Sequence, residues 1–167
     1  STKIAGDEMN RNIMVYAREV FNIFIGETQA EQIKIKVGSA IESKDKIEFP
    51  LRGRDVITGL PREIMITDTH IREALGRPIE VIVDLIKTSL ELTPPELTAD
   101  IHERGLLLTG GGSLLRGIDN IITKATGVPV RISDDPLSAV VRGTGILLED
   151  EEMLKGIKLP STRDKKN

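Results

Sequence analysis

Residues 105–118 read GLLLTGGGSLLRGI, in which an apolar run passes through three consecutive glycines into a second apolar pattern. The run Leu106–Leu108 has the length of a strand, and its lack of alternation predicts a sheet that is covered on both faces. Ser113 stands where a helix N-cap is expected, ahead of apolar residues at helical spacing. The stretch therefore predicts a strand, a glycine turn and a helix N-terminus, an arrangement whose amide N–H groups can face a ligand.

The glycine turn has an ordinary explanation as well. Turns of this kind join strands to helices in many α/β proteins that hold no ligand there, so a purely structural role stays open. A P-loop is excluded, because no Gly-Lys-Ser or Gly-Lys-Thr follows the glycines.

Composition restricts the class of protein. The chain has 167 residues, 39% apolar and 29% charged, with a net charge of −3, three Phe, one Tyr and neither Trp nor Cys. Mixed charge and scarce aromatic residues argue against a nucleic-acid partner, and the lack of cysteine excludes disulfides and thiolate metal sites. No apolar run reaches 18 residues. We therefore expect a soluble, cytoplasmic α/β or α+β protein. The opening residues, Ser1 to Asp7 without a Met, resemble the end of a strand and suggest a piece of a longer chain.

Apolar spacing predicts helices and an antiparallel strand pair before the glycine turn. A first helix is expected from Asp7 to Gly26, and a second from Thr28 to Gly38. Strands are expected at 46–52, at an edge or a bulge because of Pro50, and at 61–66. A short helix at 69–75 and a longer one beginning at Pro78 follow.

The second helix contains two charged residues on one face. Glu31 completes a Thr-x-x-Glu capping box with Thr28 and lies three residues before Lys34. A cap and a solvated ion pair worth about 0.2–0.5 kcal/mol explain both residues without any ligand.

Strand–helix–strand–helix order is expected after Gly105, which is a parallel crossover unit. The helix is predicted at 113–126, the strand at 128–132 and the last helix at 137–148. Asp134 and Asp135 precede Pro136, and helix capping explains these carboxylates better than acid–base catalysis does. From 150 onward the chain is expected to be a solvated, charged tail.

A set of segments, read together, resembles the MreB family of bacterial actin homologues. The segments are IAGDEM at 4–9, EQIK at 31–34, IKVGSA at 35–40, RGRD at 52–55, TGLPR at 58–62, TPPEL at 93–97, ERG at 103–105, LTGGG at 108–112 and DPL at 135–137. The resemblance covers residues 1–149 in order. This part of the chain is similar to the C-terminal half, the second domain, of such a protein. It implies an α/β fold, a partial actin-like (ribonuclease H-like) domain with a small α+β subdomain that carries an antiparallel sheet. Residues 1–6 and 94–149 would form the larger subdomain, and 7–93 the smaller one.

The resemblance also implies a ligand and its contacts. Members of the family bind ATP with Mg²⁺ in a central cleft. The nucleotide-binding candidates implied here are Glu31, Gln32, Ile33, Lys34, Gly110, Gly111, Gly112 and Ser113. No catalytic residue or metal ligand is assigned, because the family's phosphate loops and catalytic carboxylates would precede Ser1. The ATPase activity of the family is therefore not expected of this chain alone.

The implied function is that of a cytoskeletal protein that polymerises and directs cell shape and cell-wall synthesis. Its partners would be other filament subunits and wall-synthesis proteins, at the inner face of the membrane, which only the upstream half would contact. Two alternatives stay open. One is a division-type, FtsA-like adaptor, which should lack the RGRD and GLPR segments, and the other is a nucleotide-independent interaction module.

Overall fold

A computed structural model describes residues 6–43 and 45–150 of the chain. The elements are α1 (Gly6–Phe21), β1 (Ile23–Phe24), α2 (Glu27–Val37), β2 (Glu48–Asp55), β3 (Pro61–Thr67), α3 (Asp68–Glu91), α4 (Pro95–Arg104), β4 (Leu106–Leu108), a 3₁₀ turn (Gly111–Leu114), α5 (Ile118–Thr126), β5 (Val130–Ile132) and α6 (Ala139–Glu149). The predicted tail at 150–167 lies outside the described residues except for Asp150.

The first sheet is antiparallel, with strand order β1-β2-β3. The predicted strand pair is confirmed, in a register that sets Leu51 opposite Ile64 and Phe49 opposite Ile66. β1 pairs with β2 only at Arg54 and Asp55. Pro50 therefore lies on a part of β2 that has β3 on one side only, which explains how a residue without an N–H fits a central strand.

The second sheet contains β4 and β5 in parallel, joined through α5, so the predicted crossover unit is confirmed. The expectation that β4 is covered on both faces is wrong for the described residues, because Leu107 is 69% exposed. Apolar residues of α6 are exposed as well, and the helix has no buried residue.

The core lies between the first sheet and helices α1, α2, α3 and α5. Its largest fully buried side chains include Ile13, Ile33, Leu51, Ile66 and Leu75. From the second part of the chain, Leu115, Ile118 and Ile122 join the same cluster. The glycine turn is thereby fixed against the helices that precede it in sequence. No helix in the described ranges is long and apolar enough to cross a membrane.

Several predicted helix boundaries are wrong. The first helix ends at Phe21, and a positive φ of 55° at Asn22 turns the chain into β1 before Gly26. Asp68–Glu91 form one helix, α3, which continues through the buried Pro78. Tertiary packing of an apolar face outweighs the local effect of Pro78 here.

Two predicted caps are also wrong. Gly26 occupies the N-cap position of α2, so Thr28 lies inside the helix and forms no capping box with Glu31. α5 begins at Ile118 with Gly117 as its N-cap, and Ser113 belongs to the 3₁₀ turn. The hydroxyl of Ser113 donates to the carbonyl of Gly110 at 2.7 Å, which closes the turn instead of capping a helix.

Candidate functional site

A hollow of about 540 Å³ opens between the start of α1, one face of α2 and the 3₁₀ turn. Its volume lies within the range of small-molecule sites. The residues that line it are Gly6, Asp7, Met9, Glu31, Lys34, Ile35, Gly38, Gly111, Gly112, Leu114, Leu115, Arg116 and Leu137. The segments around Glu31 and around Gly111, which are far apart in sequence, therefore line the same hollow.

Lys34 and Glu31 form the polar wall of the hollow. Lys34 Nζ donates to Glu31 Oε2 at 2.7 Å and to the Gly6 carbonyl at 3.2 Å. The Lys34 side chain is 14% exposed and that of Glu31 is 44% exposed, so the carboxylate is the more accessible partner. A second contact to the carboxylate comes from the buried Asn10, whose Nδ2 donates to Glu31 Oε2 at 2.7 Å.

These contacts lower the pKa of Glu31. The hydrogen bond from Lys34 is the largest cause, and the bond from Asn10 is the next. Both donors stabilise the ionised carboxylate. The hollow thus presents an acceptor that stays charged at neutral pH next to a cation whose stem is largely buried.

The opposite wall is the 3₁₀ turn, whose Gly111 and Gly112 bring backbone to the hollow without side chains. A Cβ atom at Gly111 would meet only Leu137 Cδ2, at 3.5 Å, and one at Gly112 would meet nothing within 4 Å. These residues open the turn, where N–H groups have no acceptor within the helix. The turn can therefore accept a ligand group close to its backbone.

Three exposed apolar side chains complete the lining. Ile35 is 68% exposed, Leu114 is 53% exposed and Leu137 is 70% exposed. Exposed aliphatic groups next to a charged carboxylate and ammonium suit a ligand with a flat apolar body, hydroxyl groups and a negative charge. A nucleotide has this combination.

The other predicted site residues lie elsewhere. Ile33 is fully buried in the core, and its side chain is not available to a ligand. Gln32 is exposed but does not line the hollow. Gly110 and Ser113 shape the turn from behind, because the Gly110 amide donates to the Pro136 carbonyl at 2.8 Å and the Ser113 hydroxyl returns to Gly110.

Sequence reasoning missed Asn10, Arg116 and Leu137. Asn10 gave no signal, since a polar residue in an amphipathic helix is usually taken as exposed. Arg116 lies in residues 105–118 and Leu137 in the DPL segment at 135–137. Both segments pointed to the family, but neither indicated that these two side chains line the site. Within the described residues no group of three or more His, Cys, Asp or Glu could hold a metal ion.

The family model described as "MreB/Mbl protein" matches residues 1–156. The chain is 46% identical over 154 residues to the cell shape-determining protein Mbl of Bacillus cereus, covering 92% of this chain and 46% of that protein. It is 42% identical to the cell shape-determining protein MreB of Escherichia coli, covering 93% of this chain and 45% of that protein. The chain spans about half the length of these curated relatives.

Solved structures give the same fold. MreB5 of Spiroplasma citri bound to ADP is 34% identical with a TM-score of 0.88, over 94% of this chain and 48% of that one. The MamK double helical filament has a TM-score of 0.74 at 20% identity, over 90% of this chain and 46% of the other, and this likeness concerns the fold alone. The predicted actin-like fold is confirmed.

Proposed function

Because this chain belongs to the MreB/Mbl family, we propose that it forms one wall of an ATP site in an actin-like protein that polymerises into filaments. The observation that carries the proposal is the shared hollow, in which Glu31 and Lys34 lie opposite Gly111 and Gly112. The nucleotide-bound state of the MreB5 relative supports the same ligand class.

The wall fits the proposed nucleotide residue by residue. Glu31 would accept hydrogen bonds from ligand hydroxyls, because its carboxylate is ionised and 44% exposed. Lys34 would orient Glu31 and supply positive charge, and the turn at Gly111 and Gly112 would admit the ligand to within backbone contact. Magnesium would be held with the phosphates by groups in the rest of the longer parent protein.

We place the chain as the second, C-terminal half of the parent protein. The order of the segments that resemble the family supports this proposal. The chain spans 46% of the Mbl protein and 45% of the MreB protein, which leaves room for a second half of similar length. Residues 1–6 and 94–149 would then be the larger subdomain and 7–93 the smaller one. Exposed apolar residues on α6 and β4 would pack against the remaining half.

We propose a role in directing cell shape and cell-wall synthesis, which the relatives' name, cell shape-determining protein, supports. We propose that nucleotide in the cleft holds two domains in one relative orientation, which sets filament geometry. Self-association would be the main contact, with wall-synthesis proteins as further partners at the inner face of the membrane. Membrane attachment would belong to the other half.

A nucleotide titration followed by NMR tests the proposal. ATP with Mg²⁺ should shift the amide signals of Lys34, Gly111 and Gly112, with a Kd of roughly millimolar or weaker for this chain alone. Supplying the rest of the parent should bring the Kd to roughly micromolar. The variant Lys34→Met should weaken binding, and the control Lys36→Met, on the same helix but outside the hollow, should not.

Two results would overturn the proposal. One is the absence of any shift around the hollow at saturating nucleotide in the reconstituted protein. The other is a set of shifts confined to residues that do not line the hollow. Tight partner binding that is independent of nucleotide would favour the interaction module instead.

A further inference from the structure

Arg116 joins the two walls of the hollow. Its Nε donates to the carbonyl of Gly38 at 3.1 Å, and its own carbonyl accepts from the amide of Ala40 at 2.8 Å. An isolated parallel bridge pairs it with Ser39. The end of the glycine turn is therefore tied to the segment that immediately follows α2.

Gly38 connects Arg116 to the polar wall formed by Lys34 and Glu31. It is the C-cap of α2, and its amide donates to the carbonyl of Lys34 at 2.9 Å. A Cβ at this position would lie 2.2 Å from the Lys34 carbonyl oxygen and 3.0 Å from Leu115 Cδ1. Gly38 is thus packed between α2 and the turn, so a shift of its carbonyl would also move the last turn of α2, where Lys34 lies.

The guanidinium of Arg116 has too few hydrogen bonds to contribute much to stability. Its Nη2 is buried and has no hydrogen-bond partner among the described residues. The four ion pairs found there do not include it. One bond formed and one buried donor left unpaired largely offset each other in the free energy of unfolding.

We propose that Arg116 is a positioning residue that fixes the separation between the polar wall and the glycine turn, and thereby sets nucleotide affinity. The inference rests on the proposed nucleotide site. It assigns the effect to the side-chain bond with Gly38, since the backbone bond to Ala40 is available to any residue at position 116.

The test compares three variants of the full chain. Arg116→Met keeps the stem and removes the donors, and Arg116→Lys keeps a donor that can reach the Gly38 carbonyl. The matched control is Arg131→Met, which removes a similar bond, from Arg131 Nη2 to the Arg104 carbonyl at 3.0 Å, away from the hollow. Each variant is titrated with ATP and Mg²⁺ by NMR, and amide hydrogen exchange is measured without nucleotide.

Arg116→Met should weaken ATP binding about three- to tenfold, the range expected for one lost hydrogen bond. Its unfolding midpoint should stay close to that of the wild type, while the Ala40 amide exchanges faster without nucleotide. Arg116→Lys should restore both the affinity and the Ala40 protection, and Arg131→Met should change neither.

Wild-type ATP affinity in Arg116→Met would overturn the inference while leaving the nucleotide site intact. Failure of the wild-type chain to bind ATP, alone or with the rest of the parent, would overturn the site itself. Unchanged Ala40 exchange in Arg116→Met would show that the side chain does not tie the walls. A loss of affinity that Arg116→Lys does not restore would also contradict the proposed bond.

Discussion

Gly105 and Gly111 belong to the same stretch and are glycines for different reasons. Gly105 has a φ of +79°, and a Cβ there would lie 2.5 Å from the Pro129 carbonyl oxygen. Gly111 has no positive φ, and its Cβ would make only an ordinary contact with Leu137. The first glycine is required by the fold, whereas the second leaves space at the hollow.

Gly111→Val should leave the fold intact and abolish nucleotide binding, because its side chain would occupy the space that the ligand needs. The control Gly105→Val should lose at least about 1–3 kcal/mol of stability from its backbone conformation alone. Thermal unfolding and the NMR titration separate the two effects. If Gly111→Val unfolds the chain, the turn is purely structural.

Glu31 gives the site a defined acid dependence. Its folded-state pKa is lowered below the ordinary value of 4.5, chiefly by the bond from Lys34. The stability that its charge contributes is therefore fully present above pH 4.5 and is lost as pH falls through the folded pKa.

Glu31→Gln should flatten this part of the stability profile. At pH 7 Glu31→Gln should lower the free energy of unfolding by less than about 1 kcal/mol. The Glu31 side chain is 44% exposed, and ion pairs of exposed groups are weak. Denaturant unfolding between pH 3 and 7 measures both. Lys36→Gln, at an exposed position of the same helix outside the hollow, removes no carboxylate and should keep the shape of the wild-type profile.

At the scale of elements, α3 holds the core together. Ile71, Leu75, Ile79 and Val83 follow one another on its buried face. This face packs against α1, α2 and α5, so the helix links the antiparallel sheet to the part of the chain that carries the glycine turn.

Leu75→Ala should lower the free energy of unfolding by about 2–5 kcal/mol, because the side chain is fully buried and its loss leaves a cavity. Leu85→Ala on the same helix, where the side chain is 37% exposed, should cost much less. Denaturant titration of both variants measures the difference. Equal costs would contradict the assignment of the core to this face.

At the scale of the whole molecule, β4 and α6 each expose apolar side chains. Leu107, Val140, Val141 and Leu148 are each 67–73% exposed. Large exposed apolar groups that lie together on a protein usually mark an interaction site. We propose that these side chains pack against the part of the relatives' length that this chain does not span.

Val141→Lys should leave the stability of the chain within about 0.5 kcal/mol, since the position is exposed. It should weaken association with the rest of the parent protein at least about tenfold, because a charge would be buried in the contact. Analytical ultracentrifugation of the two parts measures the loss. Thr88→Lys adds the same charge at an exposed position of α3 and should leave association unchanged.

Local patterns were enough to predict the family and several of the helices and strands, but not all of their boundaries. Leu106–Leu108, Val130–Ile132 and the helix ends at Gly38 and Gly127 were predictable, because apolar spacing and glycine act within a few residues. The segments that resemble the family predicted the actin-like fold. The predicted division of α3 at Gly76 and Pro78 was wrong, because it considered only local helix signals and not the packing that holds α3 together as one helix.

Only the tertiary structure decided which predicted site residues can meet a ligand. Glu31 and Lys34 are separated from Gly111 by about half the chain. The hollow that joins them depends on the contacts of Arg116 with Gly38 and Ala40, directly after α2. Ile33, between Glu31 and Lys34 in sequence, points into the core because a helix turns its residues to different faces. The Arg116 tie is equally invisible in sequence, since a hydrogen bond across 78 positions leaves no periodic signal.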